Sequence, residues 1–565
     1  MLSIRKIGVI RRGYRHLNRY RQIVSVLIKY GFDDLIDTLN IEQYFEMGLG
    51  MISRKERPPV ERFTRAERIR MALEELGPTF VKLGQILATR PDLVSAEFVR
   101  EFEKLQDHVP PFAYEEVRQI IEKELGQNLE GMFESFDEEP LAAASIGQVH
   151  RARLKDGEEV VVKIQRPGIR KVVEVDLEIM LHLASLMERH LEEVEMHRPT
   201  RIVAEFARSI EKEIDYTIEA SHMERFAAQF QGDMSIYVPK VFQEWGTERV
   251  LTVEYIDGIK ASEIDRIEKE GLDRKIITAR GADLILKQVF EHGFFHADPH
   301  PGNIYVLPEN MICYLDYGMM GRIDRQTRED AAELIQALSQ GDESKTMHAL
   351  LKLVDYDEQP DLRALERDVA DFAGHHLYKS LKEIDIGKLL QELLELLSRH
   401  RLAIPQVLFL MLKALTTWES VGRSLDPDFH IMERAAPFIR RVRTERMRPE
   451  RIAGDVFDTS MELIRLAQEI PGELRELLLR LKQGKIKVAL EHQGLERMLA
   501  RQDQARNRVA FSIVIASLII GSALIVLSRT PPLFFGISVL GIIGFAAAAV
   551  MGAWLFLAIL RKGRL

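Results

Sequence analysis

Cysteine is almost missing from this chain: Cys313 is the only one in 565 residues. A single thiol excludes an intramolecular disulfide and a cysteine-built zinc site, and it suits a reducing, cytosol-facing compartment. Cys313 lies in the apolar run Met311-Ile312-Cys313-Tyr314-Leu315, where a small buried residue is expected rather than a nucleophile. Acidic residues are absent from the first 32 positions, which carry Arg5, Lys6, Arg11, Arg12, Arg15, Arg19, Arg21 and Lys29. No small-residue cleavage site follows a long apolar core there, which argues against a secretory signal. Interleaved Ile, Val, Leu and Tyr predict a basic amphipathic helix lying on an anionic membrane surface, with a solvated basic arm as the alternative. The net charge of −9 is modest for the length and argues against a nucleic-acid partner. A hydrophobic content of 46% with 29% charged residues is that of a folded protein, and the length exceeds what one core serves.

From Arg65 to Glu138 the apolar periodicity is helical, broken at Gly77-Pro78, Arg90-Pro91 and Pro110-Pro111. Gly147–Leu154 and Glu159–Ile164 are predicted strands, joined by Lys155-Asp156-Gly157-Glu158, a hairpin turn. Helix is expected from Val172 to Gln231, short strands near Tyr237–Val241 and Arg249–Tyr255, helix from Ile264 to His292, and a largely helical stretch from Thr327 to Lys487.

The last part of the chain differs in kind. Val509–Ser528 and Leu533–Leu560 contain no charged residue. A helix needs about 20 apolar residues to cross the hydrocarbon core, so two spanning helices are predicted, joined at Arg529-Thr530-Pro531-Pro532. Arg501, Arg506 and Arg508 before them, with Arg561, Lys562 and Arg564 after, place both ends and the catalytic part on the cytoplasmic side of the inner membrane. Small residues four apart, at Ser517/Gly521 and Gly544/Ala548/Gly552, suit close packing within the hairpin or a homodimer through it.

The strongest chemical signal is His296-Ala297-Asp298-Pro299-His300-Pro301-Gly302-Asn303, followed by Asp316-Tyr317-Gly318. Asp298 and Asn303 have the spacing of a kinase catalytic loop, in which the Asp orients or deprotonates a nucleophile and the Asn binds metal. Ile304–Leu307, Pro308-Glu309-Asn310 and Met311–Leu315 read as strand, turn, strand, a hairpin that returns Asp316 to Asn303. Two oxygen ligands converging there suit Mg²⁺. Zinc on His296 and His300 is rejected, because Pro299 and Pro301 prevent a regular helix and no third soft ligand is near. Lys163 ends the apolar run Val160-Val161-Val162 and can reach the α- and β-phosphates of a nucleotide if a carboxylate holds it. The preceding loop, Ala142-Ala143-Ala144-Ser145-Ile146-Gly147, occupies the place of a phosphate-covering glycine-rich loop; alanines do not visit positive φ, so it is expected to be stiffer.

With these motifs in order, the chain resembles the UbiB-type atypical kinases (AarF-domain, coenzyme-Q-associated, protein-kinase-like) from about Arg65 to Asp324. Beyond His296–Asn303 and Asp316-Tyr317-Gly318, the resemblance rests on Lys82-Leu83-Gly84-Gln85, the alanine-rich loop Ala142–Ser145 and Glu213-Ile214-Asp215. It implies an α+β, predominantly helical, two-lobed kinase-like fold that binds ATP and Mg²⁺. In that fold Lys163 is the phosphate-binding lysine paired with Glu219, Asp298 holds the catalytic-loop position, Asn303 and Asp316 hold the metal, and Ala142, Ala143, Ala144, Ser145 and Gly147 contact the nucleotide. Lys82, Gln85, Glu213 and Asp215 belong to an extension folded over the cleft. Two departures stand out: Val161 takes the place of the usual Ala against adenine, and Tyr317 replaces the usual Phe, adding a hydroxyl that needs a partner.

The expected organisation is a basic N-terminal region (1–64), a helical extension (65–138), an N-lobe (139–258), a C-lobe (259–440), a helical linker (441–508) and a transmembrane hairpin (509–561). The expected function is a membrane-anchored kinase or ATPase of this type, supporting isoprenoid-quinone biosynthesis by handling or phosphorylating a lipid intermediate. Its expected partners are membrane lipids, quinone-like lipids and quinone-biosynthesis proteins. The alternatives are a conventional protein kinase, a small-molecule phosphotransferase and a non-catalytic nucleotide-binding scaffold. The missing Ala-Pro-Glu marker after Gly318 and the added Lys82/Gln85 element speak against the first of these.

Overall fold

The computed structural model describes residues 15–33, 36, 62–90, 93–105, 109–190, 199–356, 359–377, 386–446, 461, 495–528, 531–534 and 537–562. Arg5, Lys6, Arg11 and Arg12, most of the expected linker, the Arg529-Thr530 connection and Arg564 lie outside them. The chain forms two compact units, Met1–Asp455 and Val456–Leu565.

In the first unit, β1 (Phe133–Phe136), β2 (Ala142–Ala143), β3 (Gly147–Leu154), β4 (Glu159–Gln165) and β6 (Val250–Glu254) make an antiparallel sheet in the order β1-β3-β4-β6, with β2 beside β3. The β3–β4 hairpin matches the sequence pattern, but β1 falls in a segment expected to be helical. Four residues are too few to display a strand period, and a register irregularity between Phe133 and Ser135 blurs it further. A second sheet, ordered β5-β10-β9-β7, comprises β5 (Ile236–Tyr237), β7 (Ile259–Lys260), β9 (Ile304–Leu307) and β10 (Met311–Tyr314). Only the β5–β10 pairing is parallel. β8 (Phe294–His296) pairs with β11 (Met320–Arg322).

Helices α1 (Arg15–Lys29), α2 (Arg65–Leu76), α3 (Pro78–Ala88) and α4 (Ala96–Phe102) precede α5 (Tyr114–Leu125), which packs on the first sheet. Helix α2 opens with a complete capping box between Thr64 and Glu67. Then follow α6 (Ile169–His190), α7 (Pro199–Glu213), α8 (Tyr216–Gln229) and α9 (Arg274–Leu286). The C-terminal part of the unit holds α10 (Arg325–Gln340), α11 (Glu343–Leu353), α12 (Leu362–Leu377), α13 (Ile386–Arg399), α14 (Gln406–Leu425) and α15 (Ile431–Arg446).

Three apolar clusters hold this arrangement. One lies between α5 and the first sheet; one joins α8, the second sheet and the C-terminal helices; the third joins α1–α3 to α6 and α7. The third corrects the expectation of a membrane-surface helix for α1, the described helix of the N-terminal region. Ile23 (1% exposed) and Val26 (6%) of α1 face Leu73, Val173 and Leu177, so the apolar stripe is consumed by helix packing and is not free to enter a membrane surface.

In the second unit, α16 (Leu495–Leu527) and α17 (Val539–Lys562) pack on each other. Leu533–Phe534 and Ile537–Ser538 pair as two short strands, so the second apolar stretch becomes helical only from Val539. Among the described residues one helix, Val509–Leu527, is long and apolar enough to cross a membrane. Gly544 approaches Ser522, and Gly541 approaches Ser522 and Val526 across the helix pair, whereas Gly521 and Gly552 have nothing near them. Only part of the small-residue pattern therefore serves this packing.

Candidate functional site

Strand alternation builds the first half of the site. On β4, Val160, Val162 and Ile164 are buried beneath α5, which turns Val161 and Lys163 to the opposite face. Lys163 Nζ meets Glu219 Oε1 at 2.5 Å. The phase of α8, and hence the position of Glu219, is set by Asp215, whose carboxylate accepts from the Thr217 N–H at 3.0 Å and the Thr217 hydroxyl at 2.6 Å. The Tyr317 N–H also donates to Glu219 Oε1, at 3.2 Å.

The second half is the β9–β10 hairpin. Tyr314 pairs with Ile304, and the Leu315 N–H donates to the Asn303 carbonyl at 3.1 Å, which returns Asp316 to the Asp298–Asn303 loop. Asp316 Oδ1 accepts from the Gly318 N–H at 2.9 Å. His296 lies 2.6 Å from the Asp316 carbonyl through Nε2 and 3.2 Å from the Asp298 N–H through Nδ1. A carbonyl takes only a donor and an amide N–H needs an acceptor, so these partners place the ring proton on Nε2. Burial lowers the pKa of His296 and so favours this neutral form over the opposing pull of Asp316 and Asp298. His300, offered by spacing as its partner on a metal, instead accepts from the Gly302 N–H at 3.1 Å.

Charge is concentrated here. Enclosure works against a cation at Lys163, but Glu219 and Asp316 outweigh it and raise its pKa. Glu219 is pushed up by burial, with Asp316 adding to the push and Lys163 opposing it. Recession would also raise Asp316, yet Lys163, the Gly318 N–H, His296 and Lys82 bring it down to about 2. One ammonium between two carboxylates leaves a net negative pocket that favours a divalent cation.

These groups line one cavity of about 910 Å³. Lys163, Glu219, Asp298, Asn303 and Asp316 all face it, and so do Ala143, Ala144, Ser145 and Gly147 of the alanine-rich loop. None of residues 142–147 has positive φ, and the Ala144 N–H closes the loop onto the Gly147 carbonyl at 2.8 Å. Gly147 is required by space: a Cβ there would collide with the Ile164 carbonyl and the Tyr216 hydroxyl. Ala142 and Val161 are not among the lining residues. Ala142 pairs with Val149, and Val161 packs on the C-terminal core opposite Val253.

The extension reaches the same cavity. Lys82 forms an ion pair with Glu213, and Gln85 Nε2 donates to the Leu105 carbonyl at 3.3 Å. Gly84 between them lies where a methyl group would strike Leu105 and Leu73. The hydroxyl of Tyr317 finds no partner, contrary to the expectation from sequence, although the side chain is fully buried.

Among the lining residues that sequence reasoning did not single out are Glu103 and, from α14, Lys413 and Thr417. Lys413 Nζ lies 3.8 Å from Asp298 Oδ1. Both Lys413 and Glu103 sit in ordinary amphipathic stretches that carry no motif. The residues present fit Mg²⁺: Asn303 offers an amide oxygen and Asp316 a carboxylate that stays ionised, with cavity left for phosphate and water. Among the described residues there is no group of three or more His, Cys, Asp or Glu placed to hold a metal ion.

Family models match residues 104–350 as an ABC1 atypical kinase-like domain, 369–430 as a UbiB helical domain and 493–561 as an ABC1/UbiB kinase-like C-terminal domain. The chain is 33% identical over 531 residues to a probable protein kinase UbiB of Shewanella baltica (strain OS185), covering 92% of this chain and 94% of that one. It is 33% identical over 474 residues to a protein of the same name from Pseudomonas fluorescens (strain Pf0-1), covering 83% and 88%. A Clostridium pasteurianum protein from the hydrogenase 1 5' region is 31% identical over 547 residues, covering 97% and 99%. A Mycobacterium tuberculosis protein solved in complex with erythromycin aligns at 24% identity and a TM-score of 0.42, over 57% of this chain and 84% of that one. Identity at this level along nearly the whole of such relatives makes the chain a member of the ABC1/UbiB family of atypical kinase-like proteins.

Proposed function

We propose that this protein is an Mg-ATP-dependent atypical kinase or ATPase, held at the inner membrane by its C-terminal hairpin and serving ubiquinone-type isoprenoid-quinone biosynthesis. The observation that carries the reading is the Lys163–Glu219 pair, 2.5 Å long, in the same cavity as Asp298, Asn303 and Asp316. A protein that only bound a partner would have no use for this set. Lys163 binds phosphate oxygens, kept charged by the carboxylates on either side of it. Asp298 orients the acceptor hydroxyl, or a water, and receives its proton. Neutral His296 holds the backbone of Asp316 and that of Asp298 in register. Asn303 and Asp316 would hold Mg²⁺, which supplies neutralisation of phosphate charge when bound.

The name of the Shewanella and Pseudomonas relatives supports the link to ubiquinone, and a lipid intermediate is the acceptor we favour. Exposed Ile520, Leu524 and Leu527 on α16, and Leu540, Ile543 and Val550 on α17, support a lipid-facing hairpin. A peptide acceptor is disfavoured because Gln85, Thr89 and Glu103 of the extension occupy the cavity wall.

Phosphate release from Mg-ATP by the full-length protein in detergent, with and without quinone-like lipids, tests the reading. Lipid-stimulated release that disappears in Asp316→Asn is expected. Activity surviving that substitution would remove the metal assignment, peptide phosphorylation without lipid stimulation would favour a protein kinase, and ATP binding without turnover would favour a scaffold.

A further inference from the structure

The catalytic loop brings no lysine or arginine of its own to Asp298: the residues between Asp298 and Asn303 are Pro299, His300, Pro301 and Gly302. Of the other lysines around the cavity, Lys163 is held by Glu219 and Lys82 by Glu213, and Lys212 stands at the end of α7 beside Glu213. The amine beside Asp298 comes from α14. Leu410, Met411, Ala414 and Trp418 fix that helix in the core, with the Trp418 ring lying where a side chain at Gly281 would have to go. Along the edge of that buried stripe the helix carries Lys413 and, one turn on, Thr417 into the cavity. At 3.8 Å, Lys413 and Asp298 attract without a hydrogen bond. Among the described residues no side chain accepts a hydrogen bond from Lys413, so its ammonium retains donors for a ligand. Glu103, recessed in the cavity wall though open to water, feels both Lys413 and Asp298.

We propose that Lys413 binds the phosphoryl group in flight: its ammonium, supplied from outside the kinase-like motifs, contacts the γ-phosphoryl oxygens on the acceptor side, opposite Lys163. This deepens the Mg-ATP reading above and rests on it. In the step it serves, the acceptor oxygen bonds to the γ-phosphorus while the bond to the bridging oxygen breaks, and the electron pair leaves with ADP. The acceptor proton passes to Asp298. Lys413 keeps its own proton throughout, and its contact moves from Asp298 to the phosphoryl oxygens as charge spreads over them. Thr417 offers a hydroxyl to the same group.

ADP lacks the γ-phosphoryl group, so it separates this role from general support of the cavity. Affinities for Mg-ATP and Mg-ADP, by calorimetry, and phosphate release are to be measured on full-length wild type, Lys413→Met and Lys413→Arg. Lys413→Met is expected to keep wild-type ADP affinity within about twofold, lose ATP affinity roughly tenfold and lose turnover about 100-fold, the usual scale for one preorganised charge-stabilising donor. Lys413→Arg should recover part of both losses. Wild-type ATP-over-ADP preference and turnover in Lys413→Met would overturn the assignment, as would an equal loss of both nucleotides. Nucleotide binding by neither wild type nor variant would instead bring down the Mg-ATP reading on which it stands.

Discussion

Arg19 of α1 is the residue whose replacement should most directly loosen the extension that covers the cavity. Its guanidinium donates to Asp176 Oδ1 at 2.7 Å, to Asp176 Oδ2 at 2.9 Å and to the Leu76 carbonyl at 2.8 Å, and it lies 5.5 Å from the centre of the Phe80 ring. One side chain therefore joins α1 and α6 to the end of α2 and the start of α3, the helix that carries Lys82 and Gln85. Asp176 is 0% exposed. Arg19→Met leaves this carboxylate buried and unpaired, a loss of about 3–5 kcal/mol. At about 1.36 kcal/mol per tenfold, opening of α1, α2 and α6 should become on the order of 10²- to 10⁴-fold more frequent. Hydrogen exchange of the full-length protein reads this directly, with protection falling in residues 15–29, 65–90 and 169–190 and little change in α14. The double variant Arg19→Met/Asp176→Leu replaces the pair by apolar side chains and should recover most of the protection. Unchanged protection in the single variant, or a double variant no better than the single, would refute the reasoning.

Tyr317→Phe removes a buried hydroxyl without a partner and should raise stability by about 1 kcal/mol in urea unfolding; a loss would show that the hydroxyl is satisfied. Gly84→Ala forces a methyl against Leu105 and Leu73 and should cost about 1–3 kcal/mol, seen as faster proteolysis of the extension; wild-type resistance would count against that packing. Asp316 is held down to about 2 from 3.8, so its ionised form contributes fully above the ordinary value and is lost only as pH falls through the lower one. Lys163→Met removes the largest influence holding it down, so the acid limb of Mn²⁺ binding should move to higher pH; a limb that stays put would refute the coupling.

Much of the site was legible because its parts are local. The Asp156-Gly157 turn between alternating strands gave the β3–β4 hairpin, and Pro308-Glu309-Asn310 between two apolar runs gave the one that returns Asp316 to Asn303. Lys163 could be placed because it closes the apolar run Val160-Val161-Val162, after a hairpin and ahead of the His296–Asn303 motif. Long-range facts left no such trace. Nothing in residues 15–29 distinguishes a helix that packs inside the protein from one that rests on a membrane, since both need one apolar stripe. Lys413 is one lysine in an amphipathic helix, and only the course of α14 through the core brings it to Asp298. Val161 shares a face with Lys163, but the packing against Val253 that takes it out of the cavity depends on a strand some ninety residues later.

The two edge strands of the second sheet, β5 and β7, are separated in sequence by β6, which belongs to the first sheet and lies beside the strand of Lys163. The chain thus grips the β9–β10 hairpin from both sides with a single loop of backbone whose apex is anchored next to Lys163. A displacement of that lysine's strand is thereby passed through the backbone to both flanks of the hairpin. The spacing between the Lys163 amine and the Asp316 carboxylate is in this way governed by covalent tethers as well as by their mutual attraction.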